Sequence, residues 1–367
     1  MWGDIAIAFL LAFITSFIIT PKSIILARKI GAVDSPKDER RINKVTMPRL
    51  GGIAVIAGFI VSTIYLLIMG SLEGKLNLIE SSYHVKILGF FVGMLVIVAT
   101  GFLDDVKGLP AIVKLLMQTV AAMVVIASGV EIDSLKIGFI EKAGLTEIFN
   151  LVLTWGWIVG ITNAINLIDG LDGLSTGISI ISCVSLLIIF ALNGSTILSI
   201  ILITALIGAL VGFLPYNFNP AKTFIGDVGS NFLGYTISII SIFGVAKTYT
   251  AIVIALPLIV LAFPVFDTLS TIVRRLVKGK SLKAIFTADA GHVHHKMLKK
   301  GLSQKQAVLI LYALSAALGV FAIVLMQDGV IKALSFLMVL IVVIAIGYKE
   351  VVNHLIEENE KEKKLLK

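Results

Sequence analysis

The chain is poor in charge. Asp, Glu, Lys and Arg make up 15% of its 367 residues, against roughly a quarter in a water-soluble domain. With 57% hydrophobic residues it has too little polar surface to face water all round, which excludes an ordinary soluble globule. There is one cysteine, Cys183, inside an apolar run. A lone cysteine makes neither an intramolecular disulfide nor a cysteine-based metal site, so it reads as packing. No basic leader precedes the first apolar run and no small-residue cleavage site follows it, which argues against a removed signal peptide. Arg28 and Lys29 come after that run instead, as in an uncleaved first span that enters with its N-terminus outward. No nucleic-acid module, low-complexity tract or internal repeat is evident, and no nucleic-acid partner is expected.

What the chain has is apolar length. Runs such as Ile5–Thr20, Ile87–Phe102 and Ile197–Leu214 are essentially free of charge, and a helix needs about 20 such residues to cross roughly 30 Å of hydrocarbon. Eleven spans are expected, near 3–27, 51–70, 86–103, 112–130, 146–165, 173–193, 196–215, 228–246, 250–273, 306–326 and 330–348. Short loops join most of them. The expected architecture is therefore all-α and polytopic, with residues 1–367 forming one transmembrane domain and no separate soluble module.

An odd number of spans puts the two termini on opposite sides. With the N-terminus outside, only Lys75, Lys86, Lys136, Lys142, Lys247 and Lys332 lie on the outer side, so 25 of the 31 Lys and Arg fall on the inner one. Cytoplasmic loops carry that excess. The net charge of +8 is then a cytoplasmic rim, suited to anionic membrane lipids and nucleotide phosphates, although topology signalling alone accounts for most of it. The outer loops, 71–85 and 131–145, show no catalytic pattern; Glu131–Lys142 alternates apolar residues about Gly138, as in a short surface hairpin. Glu357–Lys367 reads as a solvated helix of mixed charge.

The strongly polar clusters fall in the inner loops. Asp104 and Asp105 close the third span, followed by Lys107 and Lys114. Adjacent carboxylates at a membrane edge are costly unless solvated or paired. They read either as an acidic helix end or as groups that orient a metal or a lipid phosphate, with the lysines neutralising phosphate oxygens. Next, Asn163, Asn166, Asp169 and Asp172 recur every third residue, a spacing that puts successive groups on nearly one helical face. Gly170 and Gly173 permit bending or close approach to a ligand. These amides and carboxylates are hard oxygen donors suited to Mg²⁺; the structural alternative has Asp172 cap the sixth helix. In the third cluster, Asn217 to Ser230, Asn219-Pro220 reads as a turn. Asp227 stands at the expected N-terminus of the eighth helix, where free backbone N–H groups favour a phosphate. Phe224 reads as a membrane or core aromatic or as a stacking platform for a base. Last comes the loop Arg274–Lys305, with Arg274, Arg275, Asp289 and three histidines within four residues, His292, His294 and His295. They suit a metal site, a phosphate-binding lobe or a purely structural basic loop. Zinc fits less well than a hard cation, given the oxygen donors elsewhere.

In these four loops, taken in order over essentially the whole length, the chain resembles the polyprenyl-phosphate N-acetylhexosamine-1-phosphate transferases, the group of the WecA, TagO and MraY enzymes. The resemblance implies transfer of a sugar-1-phosphate from a UDP-sugar to a polyprenyl phosphate, with release of UMP and a requirement for Mg²⁺, for which Mn²⁺ can substitute. It implies that Asp227 binds the metal with help from Asn166, and that one of Asp104 and Asp105 deprotonates the lipid phosphate. Lys114 would lie near the diphosphate, with Lys107, Asn163, Asp169, Asn217, Arg274 and Arg275 in the substrate-binding set. Phe224 and Asp172 would lie near the uridine, and His292, His294 and His295 near phosphate and sugar. Val293 interrupts the histidine run and Lys296-Met297-Leu298 follows it, which resembles the WecA and TagO type that uses UDP-N-acetylglucosamine rather than the muramoyl-pentapeptide type. A bacterial plasma membrane and undecaprenyl phosphate as acceptor are expected from the same resemblance. Small residues on span faces leave room for a homodimer.

Two readings of other classes compete. A transporter of anionic solutes would place ionisable groups near mid-span, whereas here only Asp267, after Pro264, departs from the inner mouths. A lipid-binding scaffold would not call for so many metal-type ligands.

Overall fold

Inside hydrocarbon every backbone N–H and C=O must find a partner within the protein, which leaves helices or a closed barrel. A computed structural model describes residues 2–35, 45–74, 81–132, 144–245, 251–279, 281 and 291–365 and shows a chain that is helical nearly throughout. The helices are α1 (Trp2–Ile30), α2 (Gly52–Leu72), α3 (Ser81–Lys107), α4 (Ala111–Ala127), α5 (Thr146–Leu167), α6 (Leu174–Leu192), α7 (Ile197–Asn217), α8 (Gly226–Val245), α9 (Ala251–Val260), α10 (Ala262–Gly279), α11 (Val293–Lys299) and α12 (Gln304–Leu365).

Helix occupies each of the eleven expected spans. The ninth is broken into α9 and α10. Pro264 lacks the N–H that would bond to Val260, and its ring crowds that carbonyl. α12 holds the last two, separated at Gly329, whose φ of 81° and ψ of −177° leave the helical region. Seven helices, namely α1, α2, α3, α5, α6, α7 and the first part of α12, are long and apolar enough to cross a membrane. The chain is an all-α polytopic membrane protein; length and hydropathy support seven of the eleven expected crossings. The expected hairpin at Glu131–Lys142 lies almost wholly outside the described residues, as does Asp289.

Lipid-facing and interior helices separate by burial. The most apolar stretch of α7 is 83% buried and that of α1 only 22%, so α7 is interior while α1 presents Leu10, Ile14, Ile18 and Ile25 outward. α8 is the second interior post, packed by α3 and α5, with α2 and α7 also against it. Apolar side chains gain little from one another where the solvent is itself apolar, so helices in a membrane associate through close packing of small residues. Three glycine contacts bring this about. A Cβ on Gly52 would stand 2.3 Å from the Cα of Gly229, one on Gly101 2.5 Å from the Cα of Val228, and one on Gly234 2.5 Å from the Cα of Thr162. α2, α3 and α5 thus grip α8 backbone to backbone.

The chain between α1 and α2 forms a short ribbon, β1 (Val33–Asp34) antiparallel to β2 (Met47–Pro48). The segment before α8 pairs with the end of β2 and the residues just after it: Phe224 N donates to Pro48 O (2.8 Å), Gly51 N to Phe224 O (3.0 Å) and Gly52 N to Ile225 O (2.8 Å). This ribbon fastens the entrance of α2 to the entrance of α8.

Adding a methyl group at the tightest of these contacts should cost about 1–3 kcal/mol through overpacking. Gly52→Ala is expected to lower the thermal unfolding midpoint of the purified protein in detergent. Gly160→Ala, at a site with nothing within 4 Å, should leave it unchanged or raise it. Equal midpoints for the two variants would contradict the close crossing of α2 and α8.

Candidate active site

The first turn of α8 organises the site. Gly226 enters the helix at φ +74°, a left-handed conformation that favours glycine, and a Cβ there would collide with the carbonyl oxygen of Arg49. The orphan N–H groups of a helix start need acceptors. Asp105 supplies both its oxygens, Oδ1 accepting from Asp227 N (3.0 Å) and Oδ2 from Val228 N (2.9 Å). The Asp227 carboxylate then meets three donors. Arg49 Nη2 lies 2.7 Å from its Oδ2, Asn166 Nδ2 lies 2.7 Å from its Oδ1, and Lys114 Nζ stands 3.7 Å from Oδ1. Arg49 Nη2 also reaches Asp105 Oδ1 at 3.3 Å. Asp104 holds Lys114 Nζ at 2.7 Å and accepts the N–H of Leu109 at 2.6 Å, so it closes the α3–α4 turn.

The three-residue repeat is only half on a helix. Asn163 and Asn166 occupy the last turns of α5, which ends at Leu167, leaving Asp169 and Asp172 in the turn before α6. Asn163 does not enter the cavity. It donates to Gln118 on α4 (2.6 Å), Gln118 to Asn231 on α8 (2.9 Å), and Asn231 to the main-chain oxygen of Asp227 (2.8 Å). Asp169 accepts from Ser175 Oγ at 2.5 Å, and burial pushes its carboxyl up to about 7. Asp172 does not cap α6, whose N-cap is Gly173 without a side-chain bond. Its Oδ2 instead accepts from Asn219 Nδ2 (2.9 Å) and Ala221 N (3.1 Å), tying down the segment before α8. Asn217 does the same, accepting from Thr176 (2.7 Å) and donating to Thr223 O (3.0 Å).

The histidine segment is anchored by α10. Asp267, 1% exposed on α10, takes Val293 N on Oδ1 (2.9 Å) and His292 Nδ1 on Oδ2 (2.7 Å). The charge that stood apart from the inner mouths is therefore the anchor of α11. His294 packs against Gly170, where a Cβ would stand 2.4 Å from its Nε2. Burial, then the neighbouring His295 and His292, push its imidazole down to about 3, so it is neutral near pH 7.

A cavity of about 340 Å³ opens between these elements. Of the expected site residues, Asn166, Asp169, Asp172, Asn217, Phe224, Asp227 and His295 line it, joined by Asp34, Arg49 and Gln304. Asp104, Asp105 and Lys114 flank Asp227 from behind, Asn163 lies in the amide chain, and His292 and His294 support the segment that carries His295. Lys107 is exposed at the end of α3. Arg274 donates to Thr271 at 3.2 Å beside Gly291; neither it nor Arg275 lines the cavity.

Arg49, Gln118, Asn231 and Asp267 were not picked out from the sequence as site residues. Each carried a signal: a polar or charged group inside or directly abutting an apolar run, which is expensive unless partnered.

The lining fits a hard divalent cation. Asp227 and the Asn166 amide stand side by side, and half a turn of the amide exchanges its NH₂ for an oxygen. No three His, Cys, Asp or Glu converge as a metal cage among the described residues. Mg²⁺ needs none, since it usually keeps waters and takes one or two carboxylates plus substrate phosphates.

Residues 87–245, the stretch from α3 to α8, match the family model described as glycosyl transferase family 4. The chain is 39% identical over 347 residues to a Bacillus subtilis protein named "probable undecaprenyl-phosphate N-acetylglucosaminyl 1-phosphate transferase", covering 92% of this chain and 89% of that one. It is 30% identical to the Mycobacterium tuberculosis decaprenyl-phosphate N-acetylglucosaminephosphotransferase, over 84% of this chain and 79% of the relative. A phospho-N-acetylmuramoyl-pentapeptide-transferase of Streptococcus uberis is 34% identical over 62% of this chain and 69% of its own length.

The raised carboxyl of Asp169 has a measurable consequence. The folded protein holds this proton more tightly than the unfolded chain does, so its contribution to stability is complete below about pH 4 and is lost as pH rises through about 7. Asp169→Asn should flatten the fall in thermal midpoint across that window, and a variant with the same pH slope as the parent would show that Asp169 is ionised throughout.

Proposed function

Since the chain belongs to glycosyl transferase family 4, in the WecA- and TagO-like group of polyprenyl-phosphate N-acetylhexosamine-1-phosphate transferases, we propose that it transfers N-acetylglucosamine-1-phosphate from UDP-N-acetylglucosamine to undecaprenyl phosphate. UMP is the second product. The reaction takes place at the cytoplasmic face of the plasma membrane, with the N-terminus outside and the C-terminus inside, as the Lys and Arg bias argues. The observation that carries the reading is the meeting of Asp227, Asn166 and Arg49 at one helix N-terminus in the wall of a cavity lined by Asp and His, with Lys114 beside Asp227. The sugar follows from the relatives named for N-acetylglucosamine, which match more of the chain than those named for the muramoyl-pentapeptide.

Phosphoryl transfer asks the protein chiefly for alignment and charge stabilisation. An oxygen of the lipid phosphate attacks the phosphorus that bears the sugar, and the bond to the uridine phosphate breaks. Asp227 and Asn166 would hold Mg²⁺, or Mn²⁺ in its place, which when bound neutralises phosphate charge and polarises the attacked phosphoryl group. Lys114 offers a further positive charge, aimed by Asp104. Of the aspartate pair, Asp104 is the candidate to take a proton from the lipid phosphate, because Asp105 commits both oxygens to backbone N–H groups of α8 whereas one oxygen of Asp104 is held only by the Lys114 side chain. Phe224 supplies an aromatic face for the base, with Asp172 nearby, and His295 faces the diphosphate and sugar. Direct attack is favoured over a covalent aspartyl intermediate, since Asp227 would be engaged in holding the cation.

Purified protein incubated with Mg²⁺, undecaprenyl phosphate and UDP-N-acetylglucosamine should yield UMP and a lipid-diphosphate sugar. UDP as product would mean glycosyl transfer instead, and turnover only with the UDP-muramoyl-pentapeptide would move the chain to that branch. Asp227→Asn should lower kcat by about a hundredfold or more while the protein stays folded; near-normal turnover would remove the assigned role. Phe224→Ala should raise the KM for the nucleotide donor about tenfold, a typical loss for one base–aromatic stack, with the lipid KM little changed. Equal losses for both substrates would mark Phe224 as packing.

A further inference from the structure

Arg49 holds the position that a cation on Asp227 would compete for. Its Nη2 sits 2.7 Å from Asp227 Oδ2 and 3.3 Å from Asp105 Oδ1. Its backbone is pinned, with its N–H donated to Ala32 O at 3.1 Å and its carbonyl packed on Gly226. The side chain is 30% exposed and lines the cavity. A guanidinium on a fixed base, facing open space, can change partners without the backbone moving.

Charge decides when it should do so. Asp104, Asp105 and Asp227 face Arg49 and Lys114 at the α8 N-terminus, whose dipole adds roughly half a positive charge. The resting cluster is close to neutral. A divalent ion arriving alone would have to break the Arg49–Asp227 pair and leave a strong positive excess. Arriving with a nucleoside diphosphate, it brings its own compensating charge, and the displaced guanidinium meets phosphate oxygens whose geometry its fork matches.

We propose that Arg49 is a substrate-contacting residue that occupies Asp227 in the substrate-free protein and passes to the donor's diphosphate when a divalent cation and a nucleoside diphosphate enter together. This rests on the donor assigned above. Metal and nucleotide binding are then coupled through one side chain.

The test uses the full-length protein in detergent, with Mn²⁺ binding followed by electron paramagnetic resonance with and without UDP. The parent should bind Mn²⁺ about tenfold more tightly when UDP is present, the equivalent of one charge-assisted hydrogen bond. Arg49→Gln should bind Mn²⁺ alone about tenfold more tightly than the parent and lose about tenfold in UDP affinity. Arg49→Lys, which keeps the charge without the fork, should retain weak binding of Mn²⁺ alone and fail to restore UDP affinity. Identical Mn²⁺ titrations for the parent and Arg49→Gln, with UDP bound normally by both, would overturn the role of Arg49 and leave the donor assignment standing. Failure of the parent to bind UDP even with Mn²⁺ would overturn both.

Discussion

Two backbone N–H groups at the start of α8, those of Asp227 and Val228, are taken up by the two oxygens of Asp105, and the cavity is arranged around that contact. It joins the C-terminus of α3 to the N-terminus of α8 and sets the direction of the Asp227 side chain. Arg49 and Lys114 come from α-helical entrances on either side and meet the carboxylate so placed. Asp105 is buried with no exposed side-chain surface, a state that a carboxylate tolerates only when paired and hydrogen-bonded. Its partners are the two N–H groups of the helix N-terminus and Arg49.

The same economy of polar groups runs through the helix bundle. Gln118, Asn163 and Asn231 are amides on three different helices, and they satisfy one another in a chain ending on the carbonyl of Asp227. Buried polar groups without partners are costly in hydrocarbon, so this chain fixes the relative depth of α4, α5 and α8 as a hydrophobic contact could not. Asp267 performs the corresponding service for the histidine segment: it couples α10 to α11, and α11 delivers His295 to the cavity wall. A carboxylate in a span, which on its own would suggest a transport path, here has a structural partner for each oxygen.

Legibility in the sequence followed how local each feature is. Asp227 could be placed at a helix start because Gly226 and the polar run before it interrupt an apolar pattern. The polar repeat from Asn163 to Asp172 was visible as a cluster, yet its helical face was illusory beyond Asn166, since α5 stops at Leu167 and the remaining two carboxylates sit in a turn. Asp172 illustrates the limit. A residue just before a helix reads as a cap, but its carboxylate is recruited by Asn219 and Ala221, 47 and 49 positions away. Arg49 abuts an apolar run, but the basic residues around it masked that signal, since charge bias alone accounts for an arginine there.

By itself the sequence determined the class of the molecule, the helical character of its apolar segments and the gathering of acids, amides and histidines into a few clusters near their ends. These are consequences of composition and spacing, because hydrocarbon forces an uncharged run into a helix and expels charge to its ends. Which of those charges face the cavity, and which brace it, was decided only by tertiary structure. The choice rests on contacts between residues far apart in the chain, Arg49 with Asp227 and Asp267 with His292 among them, set by how closely backbones approach at Gly52, Gly101 and Gly234.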